Sequence, residues 1–341
     1  MKRIFLKRIL LIIFLFSYHF IKVHGQLFSD HYQEVVRQQS LQNYPIPKWD
    51  SLRCAWYGEC PVLYAGTKIL NANACPLNKI MFGWHAGGTS PSSYVWQSLS
   101  DLSFFSYQVN PATGAPLNPT LIAGWGNDAA VVTAKNNGVR VNLCATLFQS
   151  TNQFSTFFGS PAAQSTLITN LINEVLNVGA NGINIDFEGP GLNTTYLTQF
   201  SSFMSTLSTQ LHAAVPNSVL SFDLQGSTSS SSALLTALNP SVDLMIMMGY
   251  DYYWAGQFYP GPIAPTYQFT KATSDLNGHG NVSNDLNNVL KYIPASKVVL
   301  AMPYYGRRWK VTNGCTLPGI GTQATISTVT NTLFRQNANG Y

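Results

Sequence analysis

Ten residues, Asn181 to Pro190 (NGINIDFEGP), hold the most chemically suggestive spacing in the chain. In a β-strand, alternate side chains fall on opposite faces, so Asn184, Asp186 and Glu188 share one face. Ile183, Ile185 and Phe187 share the other, which is apolar enough to pack under helices. Alternate positions on a strand stand about 6–7 Å apart. Two carboxyls at that range resist double ionisation, so one can keep its proton near neutral pH, as a general acid must. Beyond residue 25 the chain has only four Glu residues, and one of them sits here, beside an Asp.

Such a strand needs neighbours to bury its apolar face, and the sequence supplies them at regular intervals. Strand patterns occupy residues 79–85, 102–109, 141–148, 218–225, 242–251 and 297–306. Helical patterns lie between them. Asn127 is placed to cap a short helix that ends at Gly138. Ser160-Pro161 reads as an N-cap with proline at the first helical position. Leu167, Ile168, Leu171, Ile172, Val175 and Leu176 then recur at helical spacing before Gly179. Further helices are expected at 196–211, 234–238 and 286–293. Alternating strands and helices imply a parallel sheet with right-handed crossovers, either doubly wound or closed into a barrel. Two features favour an α/β fold of the (β/α)8 TIM-barrel type. Polar residues recur at the carboxyl ends of strands (His85, Glu188, Gln225, Asp251, Arg307), and no glycine-rich phosphate loop follows any strand. Seven strands are visible. After Trp309 come one helical pattern (326–334) and a polar end, so the expectation is an incomplete barrel over 77–341, cut before its eighth strand.

Composition bounds the setting. Lys2, Arg3, Lys7 and Arg8 precede an apolar run, and Val23-His24-Gly25 suits cleavage, so residues 1–25 read as a secretory signal. Residues 26–76, with Pro45, Pro47, Pro61 and three cysteines, read as an N-terminal extension. The net charge of +5 comes from the signal's five basic residues. The remainder is neutral and gives no reason to expect a nucleic-acid or anionic-membrane partner. Cys144 lies in an apolar run and is expected to be a buried free thiol, whereas Cys54, Cys60, Cys75 and Cys315 can pair in three ways. No cysteine has zinc-ligand spacing with histidine, and neither metal nor cofactor is expected. Asn193 and Asn281 head glycosylation sequons. A secreted monomer is the expected state.

With these elements placed, the sequence resembles glycoside hydrolase family 18, the chitinase family. The family's strand-4 signature, DGxDxDxE, aligns with Asn181, Gly182, Asn184, Asp186 and Glu188. Its strand-6 motif, MxYD, is matched by Met248-Gly249-Tyr250-Asp251. A strand-7 motif similar to GxPxYGRxW is matched by Pro303, Tyr305, Gly306, Arg307 and Trp309. The resemblance implies cleavage of β-linked N-acetylglucosamine in chitin or a related glycan, through an oxazolinium formed by the substrate's own acetamido group. It makes Glu188 the proton donor. Asp186 becomes the partner of the acetamido N–H, and Tyr250 the partner of its carbonyl. Asp251 and Arg307 would hold sugar groups, and Trp84 and Trp254 are candidate stacking platforms. Two signature acids are amides here. Asn181, at the strand entrance, reads as a structural cap. Asn184 is expected to donate a hydrogen bond that favours ionised Asp186. Asp223 is expected to make a buried hydrogen bond to a neighbouring strand. The competing reading is a non-catalytic lectin of the same fold, or an inactive fragment.

Overall fold

The computed structural model describes residues 79–148, 152–225, 231–253, 262–266, 280–303 and 305. Its strands are β1 (Phe82–Ala86), β2 (Asp101–Gln108), β3 (Arg140–Phe148), β4 (Gly182–Glu188), β5 (Val219–Gln225), β6 (Leu244–Met248) and β7 (Val298–Ala301). They pair in parallel and in sequence order, so every connection is a crossover. The crossovers carry α1 (Pro119–Gly124), α2 (Ala129–Asn136), α3 (Gln153–Phe158), α4 (Pro161–Val178), α5 (Leu197–Ala214), α6 (Ser232–Leu238) and α7 (Val282–Val289).

Two apolar clusters show how the sheet is shaped. The large one lies outside it, where Leu143, Ile183, Ile185, Phe187, Leu220 and Phe222 meet the buried faces of α4 and α5. The small one lies inside. It brings Phe82 and Trp84 of β1 against Leu244 and Ile246 of β6 and Val299 and Ala301 of β7. First and last strands contribute to one interior cluster, so the sheet curls as an incomplete (β/α)8 barrel, as the sequence leads one to expect. The positions read as signal, N-terminal extension, paired cysteines and eighth-strand region all lie outside the described residues, as do Trp254 and Arg307.

The strand that carries the acids is fixed at both ends. Ser160 accepts a hydrogen bond from the Ala163 amide, Pro161 opens α4, and Gly179 closes it with φ +62. Three residues on, Gly182 has no substitute, because a Cβ there would collide with the Val219 carbonyl and the Asn142 side chain. Asn181 is indeed a cap, its Oδ1 accepting from the Val141 amide at 2.9 Å. At the far end, Phe187 is wedged among Phe157, Phe200 and Phe203, with ring centroids 5.8, 6.1 and 5.8 Å away.

Three local expectations change. Asp128, not Asn127, caps α2; its backbone is extended and its carboxylate accepts from Ala130, while Asn127 ends a 3-10 turn. The helix expected at 286–293 starts earlier, because Asn281 caps it by accepting from Asn284. Asn281 is only 1% exposed, so that sequon is occupied as a helix cap and has no room for a glycan. Strand β6 stops at Met248, which leaves Tyr250 and Asp251 on the loop beyond it. Asp251 adopts φ +56, a left-handed conformation that aims its side chain away from the strand's own alternation.

Candidate active site

Three adjacent strands send polar side chains into the barrel. From β3 come Cys144 and Thr146, from β4 Asn184, Asp186 and Glu188, and from β5 Ser221, Asp223 and Gln225. Register sets them side by side, with Cys144 opposite Asn184, Thr146 opposite Asp186 and Asn184 opposite Ser221. The β4–β5 ladder ends at Ile185–Phe222, one residue short of both Asp186 and Asp223. The two acids therefore face a gap between strands that have begun to part.

Asn184 is the hub. Its Oδ1 accepts from the Trp84 indole N–H at 2.9 Å and from Ser103 Oγ at 3.1 Å. Its Nδ2 donates to Ser221 Oγ and to Asp223 Oδ1, both at 3.0 Å. An indole N–H can only donate, so it fixes which end of the amide is oxygen and turns the NH2 group toward Asp223. All four hydrogen-bonding positions of the amide are then used. The expected bond from Asn184 to Asp186 is absent, because both N–H groups are committed to β5.

Asp186 is consequently the exposed nerve of the site. It is fully buried, and no hydrogen bond of ordinary geometry reaches either oxygen among the described residues. Burial raises its carboxyl far above the usual range, the charges of Glu188 and Asp223 raise it further, and its contact with the Glu188 carboxyl adds to the rise. Asp223, 2% exposed, is raised as well, chiefly by burial and also by Glu188, but less far than Asp186, because the Asn184 and Trp84 donors pull it down. Glu188 stands at the mouth, 6% exposed, where its Oε2 accepts from Gln225 Nε2 at 3.0 Å. Tyr250 reaches the same space: burial first, then Tyr305, Asp223, Glu188 and Asp186, keep its phenol protonated. Its ring meets that of Tyr305 edge-on at 6.3 Å.

The other sequence-derived candidates fall as follows. Trp84 is half-buried in the interior cluster, tied to Asn184 by its edge and tilted against Phe82 at 5.0 Å. It is thus a wall of the site rather than part of its rim. Asp251 lies just past β6, beside Tyr250. His85 is fully buried between Tyr94 (3.0 Å) and Asp128 (3.1 Å), where it ties the loop after β1 to the start of α2. Cys144 is free and buried, as expected, but it points inward, its donor atom within 4.8 Å of donor atoms of Asp186 and Asp223. That trio contains no imidazole, burial holds its thiol protonated, and Asn184 already engages Asp223. The chemistry of these donors is that of a proton-holding cluster, and we assign no ion to it.

Sequence reasoning placed Gln225 at a strand end without a partner and expected Asp223 to hydrogen-bond a neighbouring strand, which it does by accepting from Asn184. The alternation of β5 (VLSFDLQ) puts Ser221, Asp223 and Gln225 on one face, the same signal that marked β4. Their partners, however, lie on β4, and no single strand's pattern reveals a cross-strand bond.

A parallel barrel sheet with carboxyls converging at the carboxyl ends of its strands has the layout of a (β/α)8 enzyme site. The chain belongs to glycosyl hydrolases family 18, whose model matches residues 128–338, more than half of the sequence. It is 27% identical over 184 residues to a probable endochitinase of Caenorhabditis elegans, covering 49% of this chain and 28% of that one. It is 25% identical over 168 residues to a class V chitinase of Arabidopsis thaliana, covering 47% of this chain and 43% of that one. The fold is similar to that of a family 18 chitinase of Cycas revoluta solved with (GlcNAc)3, with TM-score 0.59 at 16% identity, over 74% of this chain and 77% of that one. The chain spans less than half the length of the curated relatives it matches.

Proposed function

We propose that this protein is a secreted glycosidase that hydrolyses β-1,4-linked N-acetylglucosamine, in chitin or chitooligosaccharides, by substrate-assisted retaining catalysis. The observation that carries the reading is the pairing of Glu188, at the mouth of the barrel, with Asp186, buried one step below it, whose oxygens receive no hydrogen bond of ordinary geometry among the described residues. A buried carboxyl that lacks a donor is matched by a ligand that brings one, and an acetamido N–H is such a donor. Glu188 gives its proton to the glycosidic oxygen. As the C1–O bond breaks, the acetamido carbonyl oxygen bonds to C1 and forms the oxazolinium. Asp186 accepts from the N–H and balances the positive charge, and Tyr250 donates to the carbonyl side. Water then gives a proton to Glu188 and its oxygen to C1, so the ring opens with retention and the acid is restored. This scheme departs from the two-carboxylate nucleophile route. Asp251, Arg307 and Trp254 are assigned to sugar contacts around the cleavage point, and Trp84 supports Asn184 from the wall. Export rests on residues 1–25, and a chitin-type glycan is the proposed partner of a monomer.

Release of a fluorophore from an N,N′-diacetylchitobiose conjugate tests the reading. Turnover is expected from the wild type and a loss of at least about 10²-fold from Glu188→Gln. Binding of chitooligosaccharide by the wild type without turnover would favour the lectin.

A further inference from the structure

Asp223 belongs to no catalytic assignment so far, yet three features of its setting define a task. Among the described residues no ion pair reaches Asp186 or Asp223, although these two stand within 4.8 Å of each other and the Glu188 charge acts on both. Buried carboxyls this close, with no counter-cation among the described residues, resist being charged together, which favours a proton held between them. The donors are also unequally divided: Asp223 receives the Asn184 amide on Oδ1, whereas among the described residues none reaches Asp186. The proton therefore rests on Asp186, the member with no donor to support a charge. Finally, Oδ1 of Asp223 accepts from the Asn184 amide, and the carboxylate offers a second oxygen, Oδ2, with lone pairs that can take a proton. The two carboxyls lie within 4.8 Å of each other across the parted ends of β4 and β5. Aspartate χ2 is a broad torsion, so the Asp186 carboxyl can turn its oxygens toward Asp223.

We propose that Asp223 is the proton-accepting partner of Asp186, a positioning residue that takes the Asp186 proton onto Oδ2 when a substrate acetamido N–H arrives. The inference rests on the proposed glycosidase reaction and adds a step to it. Before binding, Asp186 is neutral and Asp223 is the anion that Asn184 holds. The arriving N–H makes Asp186 the better-supported anion. One O–H bond breaks on Asp186, one forms on Asp223, and the total charge is unchanged. Asp186 is then negative at the moment the oxazolinium charge develops, and no proton has to reach solvent from a buried site. The other groups facing the pair are the Cys144 thiol from β3, Glu188 from β4 and Tyr250 beyond β6, all of which interact electrostatically with it. The Trp84 edge from β1 and the Ser221 hydroxyl from β5 carry no charge.

Two measurements test this, and only one needs turnover. In the substrate-free protein labelled with carbon-13 aspartate, infrared spectra at neutral pH should show a protonated-aspartate carbonyl band. Asp186→Asn should lose it and Asp223→Asn should keep it. A band that vanishes in Asp223→Asn, or none in the wild type, overturns the assignment of the resting proton. In kinetics, Asp223→Asn keeps the hydrogen bond from Asn184 but cannot take a proton. Asp186 must then shed its proton to solvent, and the acid limb of the kcat profile should move up by about one pH unit or more. A uniform loss with an unmoved limb would make Asp223 purely structural and overturn the relay. Should Asp223→Asn fold poorly, Asn184→Ala supplies the second variant: without the amide donor, Asp223 is the poorer anion and the band should shift with its resting site. A wild type that shows the band but never turns over substrate refutes the glycosidase reading and the relay, while upholding the shared proton.

Discussion

At the residue scale, the amide at position 184 decides how the carboxyls around it behave. Asn184→Asp replaces an N–H donor by another acid in a space that has no cation among the described residues. It removes the donor to Asp223 Oδ1 and leaves Ser221 without a fixed partner. We expect a pH–rate profile displaced upward by about one unit, since added negative charge raises neighbouring carboxyls. Superimposable kcat/KM profiles for variant and wild type would count against this account. Trp84→Phe isolates the other side of the hub, keeping the ring and deleting the N–H that meets Asn184 Oδ1. Loss of one buried hydrogen bond should cost about 1–2 kcal/mol in denaturant unfolding, with Ser103 still in place. Parity alone identified Asn184, Asp186 and Glu188, because a strand's alternation is local. It assigned the wrong partner to Asn184. Trp84, Ser103, Ser221 and Asp223 come from strands 37 to 100 residues distant, and only register brings them to one amide.

At the scale of elements, the acids are held by what lies behind them. Phe187 occupies the position between Asp186 and Glu188 but points the opposite way, into the aromatic nest of α3 and α5. Phe187→Ala should therefore act on both stability and chemistry. The lost burial and the cavity predict about 3–5 kcal/mol of destabilisation. A looser β4 end should also lower kcat more than it raises KM, because the acid's aim matters most in the transition state. Unfolding curves and steady-state kinetics on the same sample check both halves. Helix starts were legible where cap chemistry was unambiguous, as at Ser160-Pro161. They slipped at α2, where Asn127 and Asp128 are adjacent and both able to cap, and the carboxylate that also serves His85 and Gly88 prevailed. The cap of α7 was hidden for another reason: Asn281 had been read for its sequon rather than for its side-chain acceptor.

For the whole molecule, the buried acids and the α2 cap impose opposite pH dependences on stability. Asp186 and Asp223 titrate above their unfolded values, Asp186 the further of the two. The folded state therefore binds more protons than the unfolded one above the unfolded carboxylate range, about pH 4. Their contribution is fully present below the unfolded carboxylate range and is lost as pH rises through the folded values. Asp128 behaves in reverse. Burial opposes its ionisation, but the hydrogen bond from His85 and those from the Ala130 and Gly88 amides outweigh it and lower its carboxyl. Its contribution is present above the unfolded range and is lost as pH falls. The sum is a stability maximum on the mildly acidic side of neutrality, with a long decline toward pH 8. Melting temperature followed across that range should show the decline, and Asp223→Asn should flatten it while leaving the acid-side fall intact. Asp128→Ala should do the converse, weakening the acid-side fall at a cost of about 1 kcal/mol for the lost cap. A wild-type melting temperature that climbs steadily to pH 8 would mean that the carboxyls inside the barrel are ionised throughout, and would remove the basis for a proton held at the floor of the site.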